Sequence, residues 1–223
     1  MLAHDKQSIY LIYWWGLEIA VMLQKLTGIA ILILHAFAAN IPMAFSEEGQ
    51  LIGGSANSPV RIEVFSDFQC PACRDLYLGA IRQVLQDYSS KDKVCVIYHE
   101  YPLSIHPYAK EAARYSEAAS RLGLQILLTV YDSLFADQAQ WSQDGNVDAI
   151  IAKALPKEEY RKLKRLIRDP IIDQSIEKGI QFGTKKEIKS TPTMLFYYAG
   201  KEQKLEGAIA YPVMKQFLDS VIK

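Results

Sequence analysis

Two cysteines, Cys70 and Cys73, are three residues apart and directly follow an apolar stretch of the chain. If the segment is helical, one turn separates the two residues, so both sulfurs lie on one face and can close a disulfide. Such a pair can exchange disulfides with another thiol. The same C-x-x-C spacing also occurs in zinc sites. The pair therefore indicates either redox or metal chemistry, and its surroundings have to decide between them.

The residues around the pair predict a strand that runs into a helix. Residues 60–65 have the apolar character of a buried strand, and the apolar residues of 76–85 recur at helical spacing. Pro71 suits a first helical turn, where its missing N–H has no partner to lose. The free N–H groups and the dipole of a helix N-terminus stabilise a thiolate and can lower a cysteine pKa from ~8.5 to roughly 3.5–7.5. We therefore expect Cys70 to be the attacking or attacked sulfur and Cys73 the resolving one.

A zinc site is the competing interpretation, since Cys70, Cys73, Cys95 and His99 form a set of three cysteines and one histidine. Residues 94–98 predict a strand that continues to His99. Four residues at ~3.3 Å each would place the Cys95 and His99 side chains about 13 Å apart, too far to share one metal. We expect no bound metal and interpret Cys95 as a small buried core residue.

Composition excludes other classes of function. The chain has 223 residues, half of them hydrophobic, which is enough to bury a good core. Its formal net charge is zero, so electrostatics give no reason to expect a nucleic-acid partner. Three cysteines, two of them in one motif, do not make a disulfide scaffold.

The N-terminal region is mostly apolar and indicates export. An aliphatic run at residues 29–34 follows Lys25 and precedes small residues, which is the order of a secretory signal peptide. Met22 would be the true start in that case; an uncleaved membrane anchor and a buried helix of a cytosolic protein are the alternatives. We interpret residues 1–45 as a signal peptide or anchor and residues 46–57 as a polar linker. The cysteine pair would then lie in the periplasm or another extracytoplasmic space, secreted or tethered to the inner membrane.

Beyond the linker, the patterns predict strand, helix, strand, a block of helices, two strands and a closing helix. Helical spacing recurs at residues 124–135, 147–155, 158–167 and 171–182. Strand character returns at residues 193–198, which turn at 199–201 toward a short strand near 203–206, and residues 211–222 form the last helix. A helical insertion within an α/β unit is the architectural feature of this order.

Three motifs in this order resemble the DsbA-like thiol:disulfide oxidoreductases of the thioredoxin superfamily. They are residues 65–73, residues 101–103 with 106–109, and residues 190–193. The resemblance implies an α/β thioredoxin fold from residues 58–103 and 187–223. It also implies a helical domain, residues 104–186, inserted between the second strand and the cis-proline strand. In the family, the cis-proline loop faces the cysteine pair, so Thr191 and Pro192 are expected to form the edge where a substrate peptide docks.

The resemblance also implies an activity and its partners. The substrates would be reduced exported proteins or peptides, and a membrane quinone-linked partner would reoxidise the enzyme. No cofactor is needed because the sulfur pair carries both electrons, and we expect a monomer. Two alternatives stay open: a thioredoxin-like reductase or isomerase, and a non-enzymatic peptide-binding module whose cysteines form a structural disulfide.

The sequence departs from the family in two places. Pro71 and Ala72 separate the cysteines, without the histidine that strong oxidants of the family often carry, which favours a potential between ~−120 and ~−270 mV. The family's buried acid, six positions before the first cysteine, is replaced by Val64. Glu63 points to the opposite face of the strand, where we expect a solvated or sheet-face residue. His106 is interpreted as a helix-entry residue, with an approach to the active site as the alternative.

Overall fold

A mixed sheet of five strands forms the centre of the computed structural model, which describes residues 49–222. The strands are β1 (Gln50–Gly53), β2 (Val60–Ser66), β3 (Val94–Glu100), β4 (Thr193–Tyr198) and β5 (Lys201–Glu206), in the spatial order β1-β3-β2-β4-β5. The central pair, β2 and β3, is parallel, and the other neighbours are antiparallel. The carboxyl ends of β2 and β3 therefore lie side by side.

Helices cover both faces of this sheet. Helix α1 begins as Pro71–Leu76, passes through a π-helical turn at Tyr77–Ile81 and continues as Arg82–Asp87. A short 3-10 turn, Ser89–Lys91, follows. The remaining helices are α2 (Ala109–Ser120), α3 (Leu124–Ala136), α4 (Gln138–Asp144), α5 (Val147–Ala154), α6 (Lys157–Leu166), α7 (Pro170–Lys185) and α8 (Tyr211–Val221). Helices α2 to α7 fall between β3 and β4, where the sequence predicts the helical block.

The two faces of β2 enter different parts of the core. Ile62 and Val64 join the main apolar core with α1, whereas Phe65 joins a smaller cluster with Tyr101 and Phe182. Helix α7 covers that second face closely because Gly183 has no side chain: a Cβ there would lie 2.4 Å from the Tyr101 ring. Both faces of the central strand are therefore covered, and its polar residues Glu63 and Ser66 are buried.

Aromatic side chains join the helical block to the active-site end of the sheet. Tyr131 and Phe135 of α3 pack against Phe68, with ring centroids 4.9 and 4.8 Å apart. Phe135 also stacks on Tyr77 of α1. Because Phe68 lies two residues before Cys70, α3 supports the loop from which α1 begins.

Two elements were absent from the sequence interpretation. Strand β1 lies within residues 46–57, which the sequence indicated as a linker; its Gln50 and Ile52 are buried. Strand β1 has only four residues and ends at the Gly53-Gly54 pair, so its sequence pattern is too short to predict an edge strand. Helix α4 was also missed, because its one large apolar residue, Trp141, gives no helical period.

Within residues 49–222, no helix is long and apolar enough to cross a membrane. The predicted signal peptide or anchor at residues 1–45 and the proposed start at Met22 lie outside the described residues.

Candidate active site

The cysteine motif occupies the junction that the sequence predicts. Cys70 is the N-cap of α1, and Pro71 is the first residue of the helix. The Cys70 carbonyl accepts hydrogen bonds from the amides of Cys73 and Arg74, at 3.1 and 3.2 Å. This geometry places the Cys70 thiol at the helix N-terminus, with Ala72 packed against the core beside it.

The two thiols differ in exposure and in acidity. Both are unoxidised, and Cys70 is 8% exposed whereas Cys73 is 1% exposed. The pKa of Cys70 is lowered to about 6, first because Cys73 hydrogen-bonds to its sulfur, despite an opposing effect of burial. Burial raises the pKa of Cys73 well above its ordinary value, and the hydrogen bond and charge of Cys70 add to this. At neutral pH the reduced pair therefore holds one thiolate, at Cys70, and one buried thiol.

The Thr191-Pro192 segment lies against the pair, although it is more than a hundred residues further along the chain. The Thr191-Pro192 peptide bond is cis. The Cys70 thiol donates to the Thr191 carbonyl oxygen at 3.3 Å. Within the described chain, the buried Thr191 hydroxyl makes no hydrogen bond of ordinary length, but the Thr191 side chain is close enough to the Cys70 sulfur to help lower its pKa. The structure therefore brings together Cys70 and the loop in which the family resemblance places the docking edge.

Asp67 stands beneath the pair, and the sequence analysis assigned it no role. Its carboxylate accepts hydrogen bonds from the amides of Gln69 and Leu103 and contacts His106 Nδ1, at 2.7, 2.8 and 2.8 Å. Its own amide donates to the Cys73 sulfur at 3.4 Å. Asp67 thus joins the loop after β3 to the start of α1.

Of the two interpretations of His106, the structure favours the approach to the active site. The N-cap of α2 is Tyr108, and the His106 ring instead bonds the Asp67 carboxylate. Asp67 is 39 residues away in sequence, and a contact over that separation leaves no local signal in the chain.

We predict that Asp67→Ala lowers the free energy of unfolding of the reduced protein by about 2 kcal/mol, because two partly buried amides lose their acceptor. Asp75→Ala is the matched control: Asp75 pairs with the adjacent Arg74 on an exposed surface and should change stability by less than about 1 kcal/mol. Urea unfolding of both variants measures the difference. Equal losses would contradict the joining role of Asp67.

Gln138 is a second contributor that the sequence analysis missed. It lies in α4, is buried, and its amide nitrogen donates to the carbonyls of Phe68 and Cys70 at 2.7 and 2.9 Å. The helical block therefore supplies hydrogen bonds directly to the loop that carries the nucleophilic sulfur.

Gln138→Ala should destabilise the protein by about 1–3 kcal/mol, since two buried carbonyl groups lose a donor. Gln143→Ala on the same helix is the control, because Gln143 is exposed and bonds only the Ala139 carbonyl of its own helix. Chemical denaturation of both variants tests this expectation, and a loss in Gln143→Ala as large as in Gln138→Ala would contradict it.

The residues around Val64 differ in part from expectation. Val64 packs in the main core with α1, and Glu63 points to the other face of the sheet, as predicted. Glu63 is not solvated, however: it is 1% exposed, forms an ion pair with Arg61 and contacts His99 Nε2, each at 3.1 Å. Of the two alternatives that we expected, the sheet-face residue is confirmed and the solvated residue is wrong, because α7 covers this face.

Cys95 and His99 lie four residues apart in one continuous strand, β3. Cys95 is a buried free thiol, as the sequence indicated, and burial raises its pKa to about 11. Among residues 49–222, no group of three or more His, Cys, Asp or Glu side chains is arranged to hold a metal ion.

Comparisons with known proteins agree with this fold. Residues 46–220 match the family described as Thioredoxin. The chain is 23% identical to the probable disulfide bond formation protein D of Bacillus cereus, over 82% of this chain and 83% of that protein. The structure of α-DsbA1 from Wolbachia pipientis superposes with a TM-score of 0.68 at 15% identity, covering 81% of this chain and 94% of that one. Oxidised BdbD from Bacillus subtilis gives 0.65 at 19% identity, covering 79% and 94%.

Because the family match covers most of its length, the chain belongs to the thioredoxin family. At these identities, the solved structures show the shared fold, a thioredoxin-like α/β fold of the DsbA type with a mixed sheet and added helices.

Proposed function

We propose that this protein is a DsbA-like thiol:disulfide oxidoreductase that forms or exchanges disulfides in exported proteins. The observation that carries the proposal is the division of the pair into a thiolate at Cys70 and a buried thiol at Cys73. The relative in Bacillus cereus named as a disulfide bond formation protein supports the same activity.

In the proposed reaction, a substrate thiolate attacks the Cys70 sulfur of the oxidised pair. The Cys70–Cys73 bond breaks, Cys73 leaves with the electron pair, and a mixed disulfide joins Cys70 to the substrate. A second thiolate of the substrate then attacks the sulfur of the first substrate cysteine in the mixed disulfide. This forms the substrate disulfide and releases Cys70 as a thiolate. The substrate has lost two electrons and the pair has gained them. The low pKa of Cys70 favours the second step, because a more acidic thiol is a better leaving group.

The edge at Thr191 and Pro192 is the proposed docking site of the substrate chain. Thr191 O already lies 3.3 Å from the Cys70 sulfur, so a peptide laid along this segment would bring its cysteine to the reacting atom. Main-chain groups give such docking affinity with little dependence on sequence.

The proposal includes a cellular setting and an organisation of the chain. Residues 1–45 export or anchor the protein, residues 58–103 and 187–223 form the thioredoxin domain, and residues 104–186 form the inserted helical domain. The protein would act outside the cytoplasm as a monomer, and a membrane quinone-linked partner would reoxidise it.

Mixing the oxidised protein with a reduced peptide that contains two cysteines tests the activity. We expect stoichiometric oxidation of the peptide and a transient mixed disulfide, visible by mass spectrometry after acid quenching. Equilibration in glutathione buffers gives the direction of electron flow: a potential well above ~−180 mV indicates an oxidase, and one near ~−270 mV a reductase. A pair that never forms a mixed disulfide would instead indicate a structural disulfide.

A further inference from the structure

The buried cysteine needs a source of protons. Cys73 is 1% exposed, and it leaves as a thiolate each time a substrate attacks Cys70. An unpaired charge in an apolar interior is costly, so proton delivery to Cys73 favours the step. Two residues of β2 cannot supply this proton. Val64, at the position of the family's buried acid, is apolar, and the adjacent Glu63 is paired with Arg61 on the opposite face of the sheet.

Two buried hydroxyl groups lie on the Cys73 side of the sheet. Within residues 49–222, neither Ser66 Oγ nor Tyr98 OH makes a hydrogen bond of ordinary length. Ser66 is nevertheless close enough to Cys73 to favour its thiolate and so oppose the rise in its pKa. Burial raises the pKa of Tyr98 well above its ordinary value, and Tyr77, Cys73 and Glu100 raise it further by their charge. Tyr98 is thus within electrostatic reach of both Cys73 and Glu100.

A buried carboxyl group follows these hydroxyls along the same face. Glu100 is the register partner of Ser66 across the β2–β3 ladder and stands two residues after Tyr98. Its Oε1 accepts hydrogen bonds from Tyr131 at 3.1 Å, from Gln50 at 3.4 Å and from Ser116. These three partners are uncharged, so the Glu100 carboxyl group is stabilised by hydrogen bonds and, among residues 49–222, has no cation as a hydrogen-bond partner.

Charged groups around Glu100 also favour its protonated form. Burial raises the pKa of Glu100 well above its ordinary value, and the negative charges of Glu117 and Asp67 add to this, against the opposing hydrogen bonds of Ser116 and Tyr131. A carboxyl group with a raised pKa keeps its proton to higher pH and can supply it to a stronger base nearby. The buried thiolate of Cys73 is such a base.

Glu117 connects this cluster to the surface. Gln50 Nε2 donates to Glu117 at 2.8 Å, and Glu117 lines a cleft of about 410 Å³ together with Arg121 and Lys178. Burial raises the pKa of Glu117, whereas Gln50, Arg121 and His99 act in the opposite direction. The polar side chains from Glu100 to Glu117 therefore run from the core to a cleft that water can enter.

We propose that Glu100 stores the proton that Cys73 takes up and returns in each redox cycle, with Tyr98 and Ser66 as the intervening hydroxyls. The inference rests on the proposed thiol:disulfide exchange. When the Cys70–Cys73 bond breaks, the Cys73 thiolate gains a proton and Glu100 becomes a carboxylate, which is reprotonated from solvent through Glu117. Reoxidation of the pair reverses the transfer.

Rapid mixing of the oxidised protein with a reduced peptide, followed by acid quenching, measures the reduction rate of the pair between pH 6 and 9. Glu100→Gln should slow this step at least about tenfold at neutral pH. That is less than the ~10²–10⁴-fold typical of general acid catalysis, because a thiolate also leaves without a proton. The ratio of variant to wild-type rates cancels the titration of the attacking thiol. This ratio should rise toward one as the pH passes the pKa of Glu100, because the wild type, like the variant, then has no proton at position 100 to supply.

Variants of the hydroxyls test the same inference without altering a carboxylate. The double variant Ser66→Ala, Tyr98→Phe removes two hydroxyls that make no ordinary hydrogen bond in the described chain, so it should fold normally and reproduce the slow step. Tyr77→Phe is the control, because the Tyr77 hydroxyl bonds Asp132 at 3.0 Å, and its rate should equal that of the wild type.

The outcomes separate the two proposals. A wild-type protein that does not exchange disulfides overturns the proposed function. A wild type that exchanges normally, with the double variant or Glu100→Gln within twofold of it at every pH, overturns the role of Glu100. Infrared spectra of the oxidised wild type minus those of oxidised Glu100→Gln at pH 7 give an independent readout: we expect the band of a protonated carboxyl group. An ionised Glu100 at pH 7 in the oxidised protein also overturns the inference.

Discussion

Cys70→Ser should lose all disulfide exchange, whereas Cys73→Ser should accumulate mixed disulfides. Cys70 is the more exposed sulfur, lies beside the Thr191 edge and carries the lowered pKa, so no second thiol in the motif can replace it. Cys73 cannot reach a bulky substrate from a position that is 1% exposed, but it can attack a disulfide formed at Cys70. Without Cys73, that disulfide has no internal thiol to resolve it.

Incubation with a disulfide-containing peptide, followed by acid quenching and mass spectrometry, distinguishes the two variants. Cys73→Ser should show the mass of one attached peptide, at Cys70, and Cys70→Ser should show none. Cys95→Ser is the control, since Cys95 is buried and its pKa is raised to about 11, and it should behave as the wild type. Exchange by Cys70→Ser, or adducts at Cys95, would contradict the assignment of Cys70.

The cysteine junction could be predicted from the sequence because its signals are local. An apolar strand, a proline at the first helical position and apolar residues at helical spacing are all contained in residues 60–85. Each signal reports an intrinsic preference of the backbone or a periodicity, so none depends on the remaining fold. The approach of Thr191 to Cys70 did not follow from such signals, and only resemblance to a family indicated it.

The supporting contacts of the site could not be predicted because they join distant segments. Gln138 reaches the Cys70 carbonyl across 68 residues, and His106 reaches Asp67 across 39. Both side chains are common in exposed positions, so their type gives no indication of burial. The burial of Glu63 depends on how closely α7 approaches the sheet, which in turn depends on small residues such as Gly183. These positions are properties of packing and not of any local pattern.

The reduction potential of the pair should depend on pH with a change of slope at about pH 6, the value to which the pKa of Cys70 is lowered. Below that pH, reduction takes up two protons along with two electrons, and the potential should fall by about 59 mV per pH unit. Above it, Cys70 stays a thiolate and Cys73 alone takes a proton. The slope should then be about 30 mV per unit, up to the raised pKa of Cys73.

The same thiolate determines the direction in which the pair reacts. Because the folded pKa of Cys70 lies below its ordinary value of 9.0, the thiolate stabilises the reduced folded protein fully above pH 9, and this stabilisation is lost as pH falls through about 6. The oxidised protein has no thiolate and gains no such stabilisation. The reduction potential of the pair should therefore exceed that of an ordinary dithiol by more at pH 8 than at pH 5. Equilibration with glutathione across this range measures the slope, and iodoacetamide alkylation of Cys70 should titrate with the same midpoint. A single slope of about 59 mV from pH 5 to 8 would show that Cys70 keeps its proton, and would remove the basis for assigning it as the nucleophile.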